Sequence, residues 1–330
     1  MSNIPSSLQN LDPAILDQFR QIVQTQRTFD SPQEQTICEQ VVDSLTPEEL
    51  DATACISYAY WALKMLGDEA IHSPEVTRHT AMKIVRWHVQ YIGGPYNNIQ
   101  NFTTKAVKRV REALSTRKEQ KLDLFRICFD DAPNPDESLE QDIQSIKADI
   151  QSDLEKQLQV LLGRDKMGRA VLWKLPRIQG GTTEQAYVRQ QLYVAERAAA
   201  VTEFATRGDH DTICAVFNMQ NQNSKVTPSL SWQLTAIRLL QAVYPGRMAK
   251  VLVLEAPFLI RQIFNGIKPF LSVSLKESTF LVAGKAKTDL LKETLKDPDV
   301  LTEEGTLVQP VDIQKYLTQV PFYCSYDSSV

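Results

Sequence analysis

Residues that commonly carry catalysis occur in this chain of 330 residues, but they do not form a known catalytic arrangement. The sequence has no GxSxG nucleophile elbow, no phosphate-binding P-loop, no GxGxxG dinucleotide motif and no HExxH metal motif. Cys214 lacks the arginine that a phosphatase-type Cys-x5-Arg loop requires. The histidines have no metal-ligand spacing to cysteine or carboxylate partners; they are His72, His79, His88 and His210. We therefore predict that the protein is not an enzyme and has no catalytic residues, no metal site and no cofactor of a catalytic kind.

The stretch 244–271 has the residues for a different task, because it joins a buried strand to an amphipathic helix. The apolar run 251–254 lies between Tyr-Pro-Gly and Ala-Pro, which is typical of a strand covered on both faces in an α/β sheet. Then the apolar period becomes 3.6, with Arg261, Asn265 and Lys268 opposite a face of Ile260, Ile263, Phe264, Ile267 and Leu271. Pro269 cannot continue a helix, so the predicted helix spans 258–268, roughly 16 Å. Periodicity alone favours an ordinary helix that packs on the core.

Helices are predicted before this stretch. One runs from Pro13 to about residue 25. The capping-box sequence Thr-Pro-Glu-Glu at 46–49 starts a second helix, which is expected to continue to Gly67, and Ser73-Pro74 starts a third, which ends at Gly93. Leucines and isoleucines recur at steps of three and four from 139 to 161, which predicts one long amphipathic helix that ends near 163 and packs on the rest of the chain.

The later part of the sequence alternates strands with helices. The sheet is predicted to begin after the turn 164–169, with strands at 171–174, 212–218, 251–254 and 279–283. Helices are predicted between them, at about 188–201, 228–243 and 258–268. This alternation indicates an α/β fold with right-handed crossovers and a largely parallel or mixed sheet.

Four segments, YPGRM, EAPF, IKPFL and FLVAG, resemble in order and spacing the C-terminal half of the CRAL-TRIO lipid-binding family. This family includes phosphatidylinositol-transfer proteins and carriers of retinaldehyde and tocopherol. The turn 164–169 also resembles the family's entry into its first strand, although Ala170 stands where proline is usual. The resemblance implies a mixed or parallel sheet flanked by helices, with an amphipathic gate helix over an apolar cavity. It also implies a small N-terminal helical domain at 1–150 and a lipid-binding domain at 151–330.

By this resemblance, the segment 258–268 is the gate and the ligand is a lipid or another hydrophobic molecule. Each exposed methylene costs about 0.8 kcal/mol in water, so a cavity that covers lipid tails needs no catalytic group. The expected pocket and gate residues are Val253, Phe258, Ile260, Ile263, Phe264, Ile267, Phe270 and Leu271. The expected contacts to a headgroup or a membrane surface are Arg261, Lys268 and Lys276. No cofactor is expected besides the bound hydrophobic ligand.

The headgroup positions depart from the phosphatidylinositol-transfer pattern that the resemblance supplies. Gly246 stands where those proteins have an acid after Tyr-Pro. Ungapped counting puts Leu275 and Ser278 at their threonine and lysine positions. We therefore predict that phosphatidylinositol is not a preferred ligand. Glu255 stands where an asparagine or histidine is more usual. We expect its carboxylate to cap the gate helix, and the alternative is a polar contact in the pocket.

The composition limits the cellular location and the kinds of binding partner that can be expected. The cysteines are odd in number, five, and have no CxxC spacing, which favours reduced thiols in a cytoplasmic protein. No stretch is long and apolar enough to span a membrane, so we expect a cytoplasmic protein that binds membranes transiently. A net charge of −4 gives no reason to expect nucleic acid, although the run 103–126 is locally basic. That run either meets acidic headgroups or is a solvated face balanced by the acids of 130–155.

Two main functions remain open from the sequence, and nucleic-acid binding through the run from Lys105 to Arg126 is a third, minor alternative. The first is binding and transfer, or presentation, of a lipid or other hydrophobic ligand between membranes. The alternative is a CRAL-TRIO-like scaffold or regulatory module that binds a protein partner and transfers nothing. The missing headgroup residues and the long helix through 139–161 favour this alternative.

Overall fold

The computed structural model describes residues 4–130, 137–156, 159–181, 183–271, 273–303 and 305–326. In these ranges, a series of helices precedes a sheet of five strands, and further helices flank the sheet. The N-terminal helices are α1 (Pro13–Gln24), α2 (Pro32–Asp43), α3 (Pro47–Ala54), α4 (Tyr58–Leu66), α5 (Pro74–Ile92), α6 (Ile99–Glu119) and α7 (Glu137–Lys156). The helix predicted from Pro13 is confirmed as α1, and the helix predicted from Ser73-Pro74 is confirmed as α5.

The helix predicted from 46 to 67 is interrupted, so the prediction of one continuous helix was wrong. Its capping box is present, since Thr46 and Glu49 bond reciprocally at the start of α3. However, the Ser57 hydroxyl accepts a hydrogen bond from Tyr60 N at 3.2 Å and thereby caps a second helix, α4. The Arg126 guanidinium donates to the carbonyl oxygens of Cys55 and Ile56, both at 2.9 Å. These bonds satisfy backbone groups that the break in the helix would otherwise leave unpaired.

The basic run at 103–126 is partly used inside the molecule. Arg117 donates to both carboxylate oxygens of Glu196 at 3.0 and 3.1 Å, and Arg126 Nε donates to the same carboxylate at 2.7 Å. All three side chains are buried. On the surface, Arg111 pairs with Glu49. These cations therefore hold helices together, and their partners are not mainly the acids of 130–155.

Helix α7 ends at Lys156, and residues 159–164 form the first strand of the sheet, β1 (Gln159–Arg164). The predictions of a helix to 163 and of a sheet that begins after 169 were therefore wrong. The run Val160-Leu161 fits a buried strand as well as a helix, because so short an apolar run does not define a period. The apolar stripe of α7 is buried, with Ile146 and Ile150 both fully covered, and the helix packs on the later helix at 184–205. Packing on the rest of the chain is confirmed, and the scaffold alternative loses the support it drew from this stripe.

The sheet is mixed. Its strands are β1, β2 (Ala170–Lys174), β3 (Ile213–Asn218), β4 (Met248–Leu254) and β5 (Thr279–Val282), hydrogen-bonded in that order. β1 pairs antiparallel with β2, and the other neighbours are parallel. The remaining helices are α8 (Glu184–Ala205), α9 (Leu230–Val243), α10 (Phe258–Ile267), α11 (Val273–Glu277), α12 (Gly284–Thr294) and α13 (Ile313–Thr318). The predicted α/β fold, with a mixed sheet flanked by helices and an N-terminal helical region, is confirmed.

The strand register defines two rows of side chains on opposite faces of the sheet, since neighbouring residues of a strand point to opposite sides. We call one the cavity row: Lys174, Phe217, Val253 and Leu281, which are paired across β2–β5. We call the other the core row: Trp173, Val216, Leu252 and Phe280. Helix α8 packs on β1, β2 and β3, and α9 packs on α8. Helix α7 runs without a break through 150 and 151, and the division into domains at that point stays a prediction.

Candidate ligand-binding site

A cavity of about 250 Å³ lies over the cavity row. All four residues of that row line it, and so do Val251 and Thr279, which are paired two positions earlier on β4 and β5. The floor of the cavity is therefore one face of the sheet. It is apolar except for Thr279 on β5 and for Lys174 at the β2 end.

Two helices supply the walls. Helix α9 contributes Gln233, Ala236, Ile237 and Leu240, whose spacing of three and four places them on one face of the helix. Helix α10 contributes Phe264 and Ile267, and the chain after it contributes Leu271 and Leu275. The wall that α10 forms follows from its amphipathic sequence, because Pro257 and the Lys268–Phe270 turn bound a helix with one apolar face.

The residues expected at the site separate into three groups. Val253, Phe264, Ile267 and Leu271 line the cavity. Phe258, in contrast, is 76% exposed at the start of α10. The side chains of Ile260, Ile263 and Phe270 lie outside the part of the structure that is described.

The three cations expected at a headgroup or membrane surface lie near the cavity but do not line it. Arg261 and Lys268 are exposed, and Lys276 is half-buried. Arg261 Nε donates to Ala256 O at 3.0 Å. The outer side of α10 therefore carries one exposed aromatic ring, Phe258, and two exposed cations, Arg261 and Lys268.

The polar end of the cavity was not foreseen. Arg177, Tyr187 and Gln191 line it beside Lys174. The Arg177 guanidinium makes two hydrogen bonds to Asp153 of α7, at 2.6 and 3.2 Å, and both side chains are buried. The Lys174 ammonium lies 5.4 Å from the centroid of the Phe217 ring and 6.0 Å from that of Tyr187.

The electrostatics of this end follow from burial. Burial, and to a smaller extent the nearby Arg177 charge, lowers the pKa of Lys174 to about 8, while Asp153 acts in the opposite direction. Burial also raises the pKa of the Tyr187 hydroxyl above its ordinary range. At neutral pH this end of the cavity therefore contains an ammonium, a guanidinium, a carboxylate and a neutral phenol.

One feature of the sequence indicated the polar end of the cavity. β2 alternates, so Lys174 shares a face with the buried Leu172, and a lysine on the buried face of a strand is unusual. Arg177 and Tyr187 lie on a loop and on α8, and only the folded chain brings them to the same place.

Glu255 has a different role from the expected one. It adopts a left-handed conformation with φ of 50° between β4 and α10. Its carboxylate accepts a hydrogen bond from Gly284 N at 3.0 Å and pairs with Lys287 at 3.1 Å. These contacts lower the pKa of Glu255, mainly through the Gly284 bond. The expectation that Glu255 caps α10 was wrong, because its bond is to the start of α12.

Within the described ranges, no helix is both long enough and apolar enough to cross a bilayer. In the same ranges, no three or more histidine, cysteine or acidic side chains come together as a metal site would require.

Comparison with known proteins relates part of this chain to a family. Residues 154–303 match the model of the CRAL/TRIO domain. A segment of 119 residues is 27% identical to a curated Schizosaccharomyces pombe protein described as CRAL-TRIO domain-containing; it covers 36% of this chain and only 11% of that relative. The crystal structure of Sfh5 has a similar fold, with a TM-score of 0.51 and 14% identity over 82% of this chain and 86% of that one.

Proposed function

Because this chain belongs to the CRAL/TRIO family through residues 154–303, we propose that it binds a lipid or another hydrophobic molecule in the cavity beneath α10 and exchanges it with membranes. Binding and transfer of such ligands is the activity of the family as a whole. The identity of the ligand, the opening of α10 and the contact with membranes are the specific parts of the proposal.

The cavity is the observation that carries this proposal. A dry apolar cavity of roughly 150 Å³ can hold a benzene molecule. The space of about 250 Å³ here therefore suits a longer hydrocarbon segment. At about 0.8 kcal/mol per buried methylene, some ten methylenes would contribute a gross stabilisation of roughly 8 kcal/mol. Both tails of a phospholipid would need more room, so such a ligand requires α10 to move outward.

The outer side of α10 supports exchange at a membrane surface. An exposed aromatic ring inserts favourably at the boundary between headgroups and acyl chains, and nearby cations are attracted to anionic headgroups. Phe258, Arg261 and Lys268 provide both features on the helix that covers the cavity. Docking of this side would bring the cavity wall to the place where a ligand enters or leaves. Contact with the membrane is transient in this proposal, and phosphatidylinositol is not the preferred ligand.

The test is native mass spectrometry of the purified chain, combined with extraction of bound lipid and a liposome-to-liposome transfer assay. We expect a bound mass of lipid size and measurable transfer. Ala236→Phe, which fills the cavity from α9, should lower occupancy at least tenfold while the circular dichroism spectrum is retained. The matched control is Val308→Phe at an exposed site, which should leave occupancy unchanged. A wild-type chain that is empty and does not respond to liposomes would overturn the proposal.

A further inference from the structure

The Lys174 ammonium lies at one end of the cavity, on a side chain that is half-buried. It is the last residue of β2 and the first member of the cavity row. The rings of Phe217 and Tyr187 lie 5.4 and 6.0 Å from its Nζ, and both line the same cavity. These rings stabilise a cation through their π faces, but they do not neutralise its charge.

The charges around this end do not balance. The Arg177 guanidinium is paired with Asp153 through two hydrogen bonds. Among the residues that the structure describes, Lys174 Nζ has neither a hydrogen-bond nor an ion-pair partner. Two cations face one carboxylate, so one positive charge at this end is uncompensated.

A second donor at the same end is also unsatisfied. Arg177 is 4% exposed and lines the cavity. Its Nε atom is buried and has no hydrogen-bond partner in the described part of the chain. Buried donors are rarely left unpaired in native proteins, and such a group commonly marks the place of a bound ion, water or ligand.

Burial of an unpaired charge is strongly unfavourable, and an anion in contact with it removes that cost. The ammonium keeps its proton at neutral pH, because burial lowers the pKa of Lys174 only to about 8. The cavity therefore combines an apolar floor with one end that lacks an anion. A hydrocarbon chain with an anionic group at its end has the matching distribution of charge.

We infer that the ligand of this cavity is a single-chain lipid with an anionic head, a long-chain carboxylate or a monoacyl phosphate, whose head pairs with Lys174 inside the cavity; this inference rests on the proposed function. The tail lies along Phe217, Val253 and Leu281. These residues continue across three strand spacings of about 4.8 Å, so the floor extends roughly 14 Å from Lys174. The cavity volume of about 250 Å³ takes some ten methylenes of one such chain, and a longer tail requires α10 to move outward.

The test compares three probes with the same eighteen-carbon chain, namely oleate, oleyl alcohol and the oleoyl monoacyl glycerol phosphate, by isothermal titration of the full chain at about pH 7. We expect at least one anionic probe to bind ten times more tightly than the alcohol. Lys174→Met should remove that preference and leave the affinity for the alcohol unchanged, and Lys174→Arg should retain part of it. The better of the two anions identifies the head as carboxylate or phosphate.

Lys250→Met is the matched control. Lys250 Nζ also lies 5.4 Å from a phenylalanine centroid, that of Phe280, but it stands on the other face of the sheet and bonds Thr294 at 2.9 Å. This variant should keep the wild-type preference for the anion.

Two results would overturn the inference. One is equal affinity of the wild type for the anions and the alcohol, and the other is an anion preference that Lys174→Met or, if that variant does not fold, Lys174→Gln retains. In both cases the proposed function would stand, because the chain would still bind lipid. Failure of all three probes, together with an empty purified protein, would overturn the proposed function as well.

Discussion

The core row and the cavity row lie on the same four strands, displaced by one residue, and so on opposite faces of the sheet. They differ in how tightly the rest of the chain packs against them. In the core row, Trp173 is 1% exposed and Val216 and Leu252 are both 0% exposed, whereas Phe280 on the edge strand β5 is 39% exposed. In the cavity row, Val253 is buried, but Phe217 and Leu281 are only half-buried and face open space. Both rows are mostly apolar, so hydrophobicity alone does not decide which face is packed solid. The difference comes from the covering helices, because α9 and α10 leave room above the cavity row.

The two lysines of the sheet repeat this contrast. Lys250, on the face of the core row, reaches Thr294 at 2.9 Å and Glu293 at 3.4 Å. Lys174, on the hollow face, lies beside two aromatic rings and has no hydrogen-bond or ion-pair partner among the described residues. A lysine that packs on a solid face finds its partners within the chain. A lysine that faces a cavity can obtain one from a ligand.

The two faces should differ most in the loss of stability caused by truncating an aromatic side chain. Trp173→Ala should lower the free energy of unfolding by about 3–5 kcal/mol, because it empties a packed site and removes the bond from Trp173 Nε1 to Leu162 O. Phe217→Ala should cost no more than about 2 kcal/mol, since that ring already lacks neighbours on the cavity side. Urea denaturation of both variants measures this, and equal losses would contradict the distinction between the faces.

Enlargement of a valine should have a smaller effect of the same kind. Val216→Phe should destabilise the protein by about 1–3 kcal/mol, because no space surrounds a side chain that is fully covered. Val253→Phe should cost less than about 1 kcal/mol, since the added ring enters the cavity, and it should reduce the amount of bound lipid. Thermal unfolding and native mass spectrometry test the pair. A large loss of stability in Val253→Phe alone would show that the cavity is not available space.

The smallest expected effect is in the pH dependence of stability in ligand-free protein. The pKa of Lys174 is lowered to about 8 from an ordinary 10.5, so between these values the unfolded chain binds more protons than the folded one. Stability should therefore rise with pH through this window, relative to Lys174→Met. Linkage alone gives a rise of about 2.5 kcal/mol from pH 7 to pH 10, and solvent screening of this half-buried side chain reduces it to about 1 kcal/mol. The comparison of variants cancels Lys83, whose pKa is also lowered to about 8 by burial.

Denaturation midpoints at pH 7, 8.5 and 10 measure the slope, and Lys250→Met should retain it. A wild-type slope identical to that of Lys174→Met would show that the ammonium is not buried in the cavity.

Much of the fold could be predicted from the sequence, because the signals were local. The change of period at Phe258 and the prolines around it located α10, and the bounded apolar runs located β2 to β5. β1 was missed because Leu158 and Leu161 continue the sequence spacing of the apolar residues in α7. The interruption between α3 and α4 was missed because it depends on Arg126, which lies some seventy residues later in the sequence.

The candidate site was predictable only in part. The pattern of α10 indicated Phe264 and Ile267, and the strand pattern indicated Val253, all of which line the cavity. The polar end depends on strand register and on the approach of α7 and α8, which periodicity does not encode. The Asp153 carboxylate of α7 pairs with Arg177 and leaves Lys174 unpaired. Nothing in the sequence indicates which of the two cations it would bind.

The ion pairs of Glu196 indicate which part of the chain must be present for the protein to fold. Glu196 lies within the segment that matches the family, but its guanidinium partners, Arg117 and Arg126, lie before that segment. A polypeptide cut to 154–303 would keep a buried anion and lose both counter-charges, which is among the costliest changes a core can suffer. The boundaries that homology defines are therefore narrower than the cooperative unit, and shortened versions of this chain should aggregate unless the helices that carry both arginines are retained.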